Sequence, residues 1–209
     1  TEIAALTTAQ IAALTTEDIE AFSATQLKAL TVTQIPHLST ANIAHFSEAQ
    51  VPMFTAAQIA ALTGTQIAAI EVADIAVMTK AQIAAIEAAD AASLTVGQIA
   101  AITTVQASGL TSAQLAAMST TQIQALEAED LNKLTTGAVV GLSTAQMTAL
   151  TATQVAGLTS AQLAVMSTAQ IAALDAADVD NLTTAAVKGL TTAQVAALSA
   201  DQVAALTSD

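Results

Sequence analysis

Leu6-Thr7-Thr8-Ala9-Gln10-Ile11-Ala12-Ala13 is one copy of the eight-residue unit from which the whole chain is read. Read outward in eights, a large apolar side chain recurs from Leu6 to Leu206. This gives twenty-five unbroken octads, Leu6–Ala13 through Leu198–Ala205, with part-octads Thr1–Ala5 and Leu206–Asp209 at the ends. Position one of the octad is Leu, Ile, Met or Phe, and position two is Ser or Thr except at Glu71, Glu87, Glu127 and Asp175. Position five is Gln, Asn or Asp except at Ala138 and Ala186. Position six is Ile, Leu, Val or Met except at Ala91 and Ala107.

This pattern is a helix start, repeated. A Thr at the N-cap accepts from the backbone N–H three residues on, and the Gln there reaches back to the N–H of the cap. The apolar residue before the cap meets the one at the fourth helical position as a hydrophobic staple. Each octad is therefore expected to begin a helix of about one and a half turns, which the next Thr stops. One continuous helix is disfavoured, because eight residues at about 100° each rotate the apolar pair by roughly 80° per octad and leave no single buried face. Strands are disfavoured because positions one and six differ in parity and would point to opposite faces. The expected fold is all-α, an elongated solenoid of short helices with positions one and six inward. Residues 1–209 are read as a single domain stabilised by stacking of neighbours.

Composition narrows the function classes. The core must be thin and aliphatic, since 54% of the residues are apolar but only three are Phe and none is Trp or Tyr. Four lysines, no arginine and seventeen acids give a formal charge of −13, which opposes binding to phosphate backbones and to anionic membrane surfaces. No run of eighteen apolar residues exists, so no membrane span is expected. Without cysteine there is no disulfide framework and no Cys-zinc site. The chain opens within the repeat and shows no signal peptide, so targeting information is expected to be absent or removed.

Breaks in the pattern supply the candidate sites. Four acidic octads carry the pairs Glu71/Asp74, Glu87/Asp90, Glu127/Asp130 and Asp175/Asp178 at positions two and five. Glu caps poorly but extends helices well, so these octads are expected to let the preceding helix run on, for example from Thr63 through Val77. Paired carboxylates are also hard-oxygen ligands, and calcium is the alternative reading, although the Asp-x-Asp-x-Asp-Gly loop is missing. Between Ile35 and Phe54, position seven is Pro36 and Pro52, so those helices are expected to be cut short or tightened. His37, His45 and Met53 share position eight there, the residue types that ligate haem or copper. Solvated imidazoles on successive edges are the plainer account. A third idea is an ice- or glycan-binding face built from Thr8, Thr16, Thr40, Thr65, Thr104, Thr121, Thr136 and Thr153, which are split between two columns.

A longer rhythm overlies the octads. Met118–Val165 and the stretch from Met166 match at a spacing of 48 residues, and Met78–Ala117 is a related block one octad shorter. Six octads fit two or three edges per turn. Gly109, Gly141, Gly157 and Gly189, all at position eight in octads of one parity, lean toward two. Joined end to end, Leu206–Asp209 and Thr1–Ala5 nearly complete an octad, as expected for a slice of a longer array or for copies stacking head to tail. No catalytic set is evident: Ser39 and Ser47 near the histidines fit the cap role, and acids three apart lie on one helix face. No enzyme activity and no obligatory cofactor are expected.

The string Ala5-Leu6-Thr7-Thr8-Ala9-Gln10-Ile11-Ala12-Ala13-Leu14-Thr15, echoed at Leu190–Leu198, resembles the octapeptide tracts of very large secreted bacterial proteins, described as adhesins, haemolysin-like exoproteins or haem-utilisation proteins. The resemblance covers the whole chain and carries no functional residues with it. It implies an exported protein of the extracellular space or bacterial cell surface. The expected role is a structural or adhesive scaffold that self-associates end to end or laterally, with any other protein or glycan partner unspecified.

Overall fold

The computed structural model describes residues 2–206. All regular structure among them is helical: short α-helices of four to seven residues, and 3-10 turns at Glu2–Ala5, Ile35–His37 and Val51–Met53. Thr1 and Thr207–Asp209 lie outside the described residues, so of the part-octad Leu206–Asp209 only Leu206 is placed.

The Thr-x-x-Gln unit starts each helix as its chemistry dictates. Thr151 is extended (φ −79°, ψ 158°) and its Oγ1 accepts from the Gln154 N–H at 3.3 Å. The Gln154 Oε1 accepts the Thr151 N–H at 3.0 Å. The same reciprocal box recurs at Thr7/Gln10, Ser23/Gln26, Thr63/Gln66 and Ser119/Gln122. Each helix ends by tightening: the Ile70 N–H reaches the Ile67 carbonyl at 3.2 Å, three residues back. Ile70 (ψ 131°) and Glu71 (ψ 150°) are then both extended and turn the corner into Val72–Val77.

The expected run-on through the Glu octads does not occur. Gly64–Ala69 stops at Ile70 and Glu71 is a true N-cap position, although its side chain makes no capping bond; Glu87 and Glu127 behave alike. Asp74, Asp90 and Asp130 accordingly stand in the first turn of new helices, Val72–Val77, Ala88–Ala91 and Ala128–Lys133, and not within longer ones. Position one must enter the core, and Ile70 (7% exposed) can do so only if the backbone leaves the helix there. Tertiary burial overrides the local preference of Glu. The prolines act as expected, since both Pro-containing edges are single 3-10 turns.

By contacts the chain divides into two compact units, Thr1–Ile102 and Thr103–Asp209. In each, helices 24 residues apart pack on one another. In the first, Gly64–Ala69 lies against Ala88–Ala91; in the second, Ser112–Ala117, Thr136–Val139, Ser160–Val165 and Thr184–Val187 form one series. A turn therefore takes three octads, not the two toward which glycine parity leaned. The parity has another origin: Gly141 and Gly189, like Gly109 and Gly157, are separated by 48 residues, which is two complete turns. Positions one and six line the inside, with Ile67, Ile75, Leu115 and Leu163 fully buried.

Gly141 and Gly189 mark close approach of backbones. A Cβ on either would overlap the carbonyl of Ser112 or Ser160, 29 residues earlier on the edge beneath. Phe46 and Phe54 meet edge to face, with centroids 4.8 Å apart. Beside them is a cavity of about 20 Å³ lined by Ile43, Val51, Ile59, Leu62 and Ile70. It has room for one water at most and offers no polar partner to hold it.

Candidate functional site

The most developed polar feature is a ladder of glutamine amides running between turns. With Oε1 committed to the cap, Nε2 of each position-five Gln is free to donate. Nε2 of Gln66 reaches the carbonyls of Ile35 (2.9 Å) and Leu38 (2.7 Å), and that of Gln154 reaches Ile123 (2.8 Å) and Leu126 (2.7 Å). These acceptors lie 31 and 28 residues earlier, at position six of one octad and position one of the next, on the corner that leads into the edge beneath. They are among the last carbonyls of short helices, the groups such helices leave without a partner. One side chain thus closes the start of its own helix and the end of the helix that leads into the edge beneath.

A second set runs the other way in the second unit. Gln124 Nε2, Asn132 Nδ2 and Thr148 Oγ1, all at position seven, donate to the carbonyls of Ala149 (2.7 Å), Gly157 (3.1 Å) and Ala173 (2.8 Å), 25 residues ahead. Sequence reasoning missed both sets. A signal was present for the first: Glu would complete a capping box as well as Gln does, yet in none of the twenty-five full octads is position five Glu. Only a side chain with an acceptor and a donor serves both ends.

The residues singled out in the sequence are spread around the coil. His37, His45 and Met53 sit in three successive octads, hence on three different sides, and all three are exposed. His45 Nδ1 lies 2.9 Å from the Ala41 carbonyl of its own helix. In the first unit Glu71/Asp74 and Glu87/Asp90 are on different sides. In the second, Glu127/Asp130 and Asp175/Asp178 share a side two turns apart. Among the described residues, no three His, Cys, Asp or Glu side chains come together as a metal site would need.

Asp90 of the Glu87/Asp90 pair packs toward the edge beneath. It is half-buried, and its Oδ1 is turned toward Gly64 on the edge beneath, 3.1 Å from where a Cβ on that glycine would stand. Asp90 and Glu87 gather no third acid there. The three-octad turn stacks Asp90 over Gly64, position three of the octad that contains Gln66.

Of the threonines, Thr16, Thr40 and Thr65 share one side of the first unit while Thr8 takes another. In the second unit, Thr121, Thr136 and the pair Thr104/Thr153 occupy three sides. Several of these hydroxyls bond a cap hydroxyl, as Thr65 does Thr63 and Thr153 does Thr151, both at 3.1 Å.

The acids at position five respond to whether an edge lies beneath them. Asp18, in the first turn, is exposed; its Oδ2 accepts the Thr15 N–H and hydroxyl at 2.9 Å each, and these bonds hold its carboxyl below the usual range. Asp74 and Asp130 are each 2% exposed, and each has an Oδ2 without a hydrogen-bond partner. Burial first, and then the neighbouring acids, push Asp74 up to about 6 and raise Asp130 and Asp178.

Short capped edges, three to a turn and tied by side-chain amides, define a helical repeat solenoid. Residues 3–40, 123–160 and 171–208 match the ALTTAQ repeat; together these stretches span more than half of the chain, which belongs to the ALTTAQ repeat family. No curated protein matches the chain. Fold and family point to a repeat scaffold. Among the described residues no helix is long and apolar enough to cross a membrane.

Proposed function

We propose that this chain is a non-enzymatic spacer, a module of an exported bacterial cell-surface array whose reach is set by the number of turns. The observation that carries this reading is the ladder: the recurring polar side chain of the octad is spent on tying turn to turn, as with Gln66 and Gln154. A solenoid of such turns lengthens without a new fold, because each added turn presents the same carbonyls to the next. The 48-residue duplication adds two whole turns and so preserves the register of every edge.

The spacer role predicts that duplicating residues 118–165 leaves helicity per residue unchanged and lengthens the particle. Its maximum dimension in small-angle scattering should grow by roughly 16–20 Å, at the ordinary helix-packing distance of 8–10 Å per turn. A change in radius without a change in length would overturn it. Export is supported by the acidic, cysteine-free composition and by the resemblance to secreted octapeptide tracts. Antibodies to the chain should label intact cells of its source; labelling only after lysis would refute export. Adhesion and filament formation belong to the same reading, with the regular Thr and Ala surface as the contact.

A further inference from the structure

We propose that Asp74 is a proton-operated rung: protonated, its carboxyl donates from Oδ2 to the carbonyls of the edge beneath as the amides around it do, and ionised, it withdraws that tie. The register is set by its neighbours. Gln66 and Gln82, one octad to either side, donate to carbonyls 31 and 28 residues earlier, at 2.7–2.9 Å. The same spacing puts the carbonyls of Ile43 and Phe46 beneath Asp74.

Asn42 shows that a side chain one methylene shorter than Gln still reaches. Its Nδ2 donates to Leu14 O at 3.1 Å and Thr15 O at 3.3 Å, 28 and 27 residues earlier. Asp is isosteric with Asn, so by the reach of Asn42 the Oδ2 of Asp74 is directed at the carbonyls of Phe46 and Ser47, 28 and 27 residues earlier, and meets acceptors where it needs a donor. A carboxylate offers none, whereas a carboxylic acid offers one O–H. This accounts for Oδ2 being buried and without a partner.

The acids around Asp74 favour the proton. Glu71 on its own edge and Glu48 on the edge beneath both raise its affinity, behind burial as the leading cause. The edge above, which includes Val96–Ala100, carries no ionisable side chain. Of the adjoining edges, 62–69 carries none and 78–85 only Lys80. Every octad with an acid at position two has Asp at position five, and at Asp74 that pairing acquires a purpose. Glu71 caps nothing, but its charge helps to keep a proton on Asp74. Asp130 repeats the arrangement, with its proton favoured by burial, Glu127 and Glu129 and opposed by the Glu127 backbone bond.

A carboxyl raised on folding binds more protons in the folded state, so its contribution is full at low pH and is lost as pH rises from the ordinary carboxylate value through about 6. Equilibrium unfolding of the full chain and of Asp74→Asn from pH 4 to 8 tests this. The folding constant of the parent should fall by up to about a hundredfold relative to the variant across that range, leaving Asp74→Asn the more stable at pH 8. In the parent, the Asp74 carboxyl carbon should titrate near pH 6 by NMR, and Glu71→Gln should lower that midpoint. Parallel pH profiles, or titration at the ordinary carboxylate value, would overturn the proposal. So would millimolar calcium stabilising the parent but not Asp74→Asn at pH 8, which would give the position to a metal ion.

Discussion

Gln66→Met is expected to cost about 3 kcal/mol of folding free energy, although methionine nearly matches glutamine in volume and is the more hydrophobic. Gln66 is 2% exposed and holds three backbone groups: it accepts from the Thr63 N–H at 2.9 Å and donates to the Ile35 and Leu38 carbonyls. Ile35 O keeps a second partner in the Leu38 N–H, at 3.1 Å. The Leu38 carbonyl and the Thr63 N–H would be left to find others, at about 1–3 kcal/mol for each buried group stranded. Gln10 supplies the contrast. It is exposed and makes the capping bonds without a tie to an edge beneath, so Gln10→Met should cost about 1 kcal/mol, the ordinary value of a cap. Denaturant midpoints compare the two directly. Equal losses would mean that the ties between turns contribute nothing beyond the capping box.

The second large effect comes from adding a single methyl group. Gly141→Ala should destabilise the chain by about 3 kcal/mol, at the upper end of what overpacking costs, because the new Cβ would overlap the carbonyl carbon and oxygen of Ser112. Backbone cannot swing aside as a flexible side chain would, so the two edges must separate. Gly137→Ala, four residues away, should do the opposite. Its Cβ would meet only Thr135 Oγ1 at 3.9 Å, within the helix Thr136–Val139, where exchanging Gly for Ala is worth about 0.5–1 kcal/mol in propensity. Thermal or chemical unfolding of the two variants should therefore move in opposite directions. A neutral Gly141→Ala would show that the edges do not approach as closely as described.

Both predictions depend on contacts that the octad does not announce. The cap, the staple and the inward positions were legible because each is an interaction within eight residues: Thr63 with Gln66, Ile70 ahead of Glu71, Ile67 facing inward. The amide ladder was half legible. The Oε1 end belongs to the capping box, while the Nε2 end was visible only as the unexplained absence of Glu from position five of the full octads. The acidic octads misled, since Glu71 looked like a residue that carries a helix onward. What stops the helix there is the demand of Ile70 for the core. Nor did the shared pattern of Asp74 and Asp90 tell that one would be buried and the other half-exposed, because the edge beneath each differs.

That the helices are short, where each begins and which two side chains per octad turn inward all follow from the octad alone, because capping and apolar spacing act over eight residues. The closing of a turn by three octads, the contact of Gly141 with Ser112 and the burial of Asp74 with an Oδ2 that has no partner emerge only when the edges stack. Those outcomes belong to residues 24 to 31 positions apart. In a chain of nearly identical octads every such pairing has close competitors, and the packing of one edge on the next selects among them.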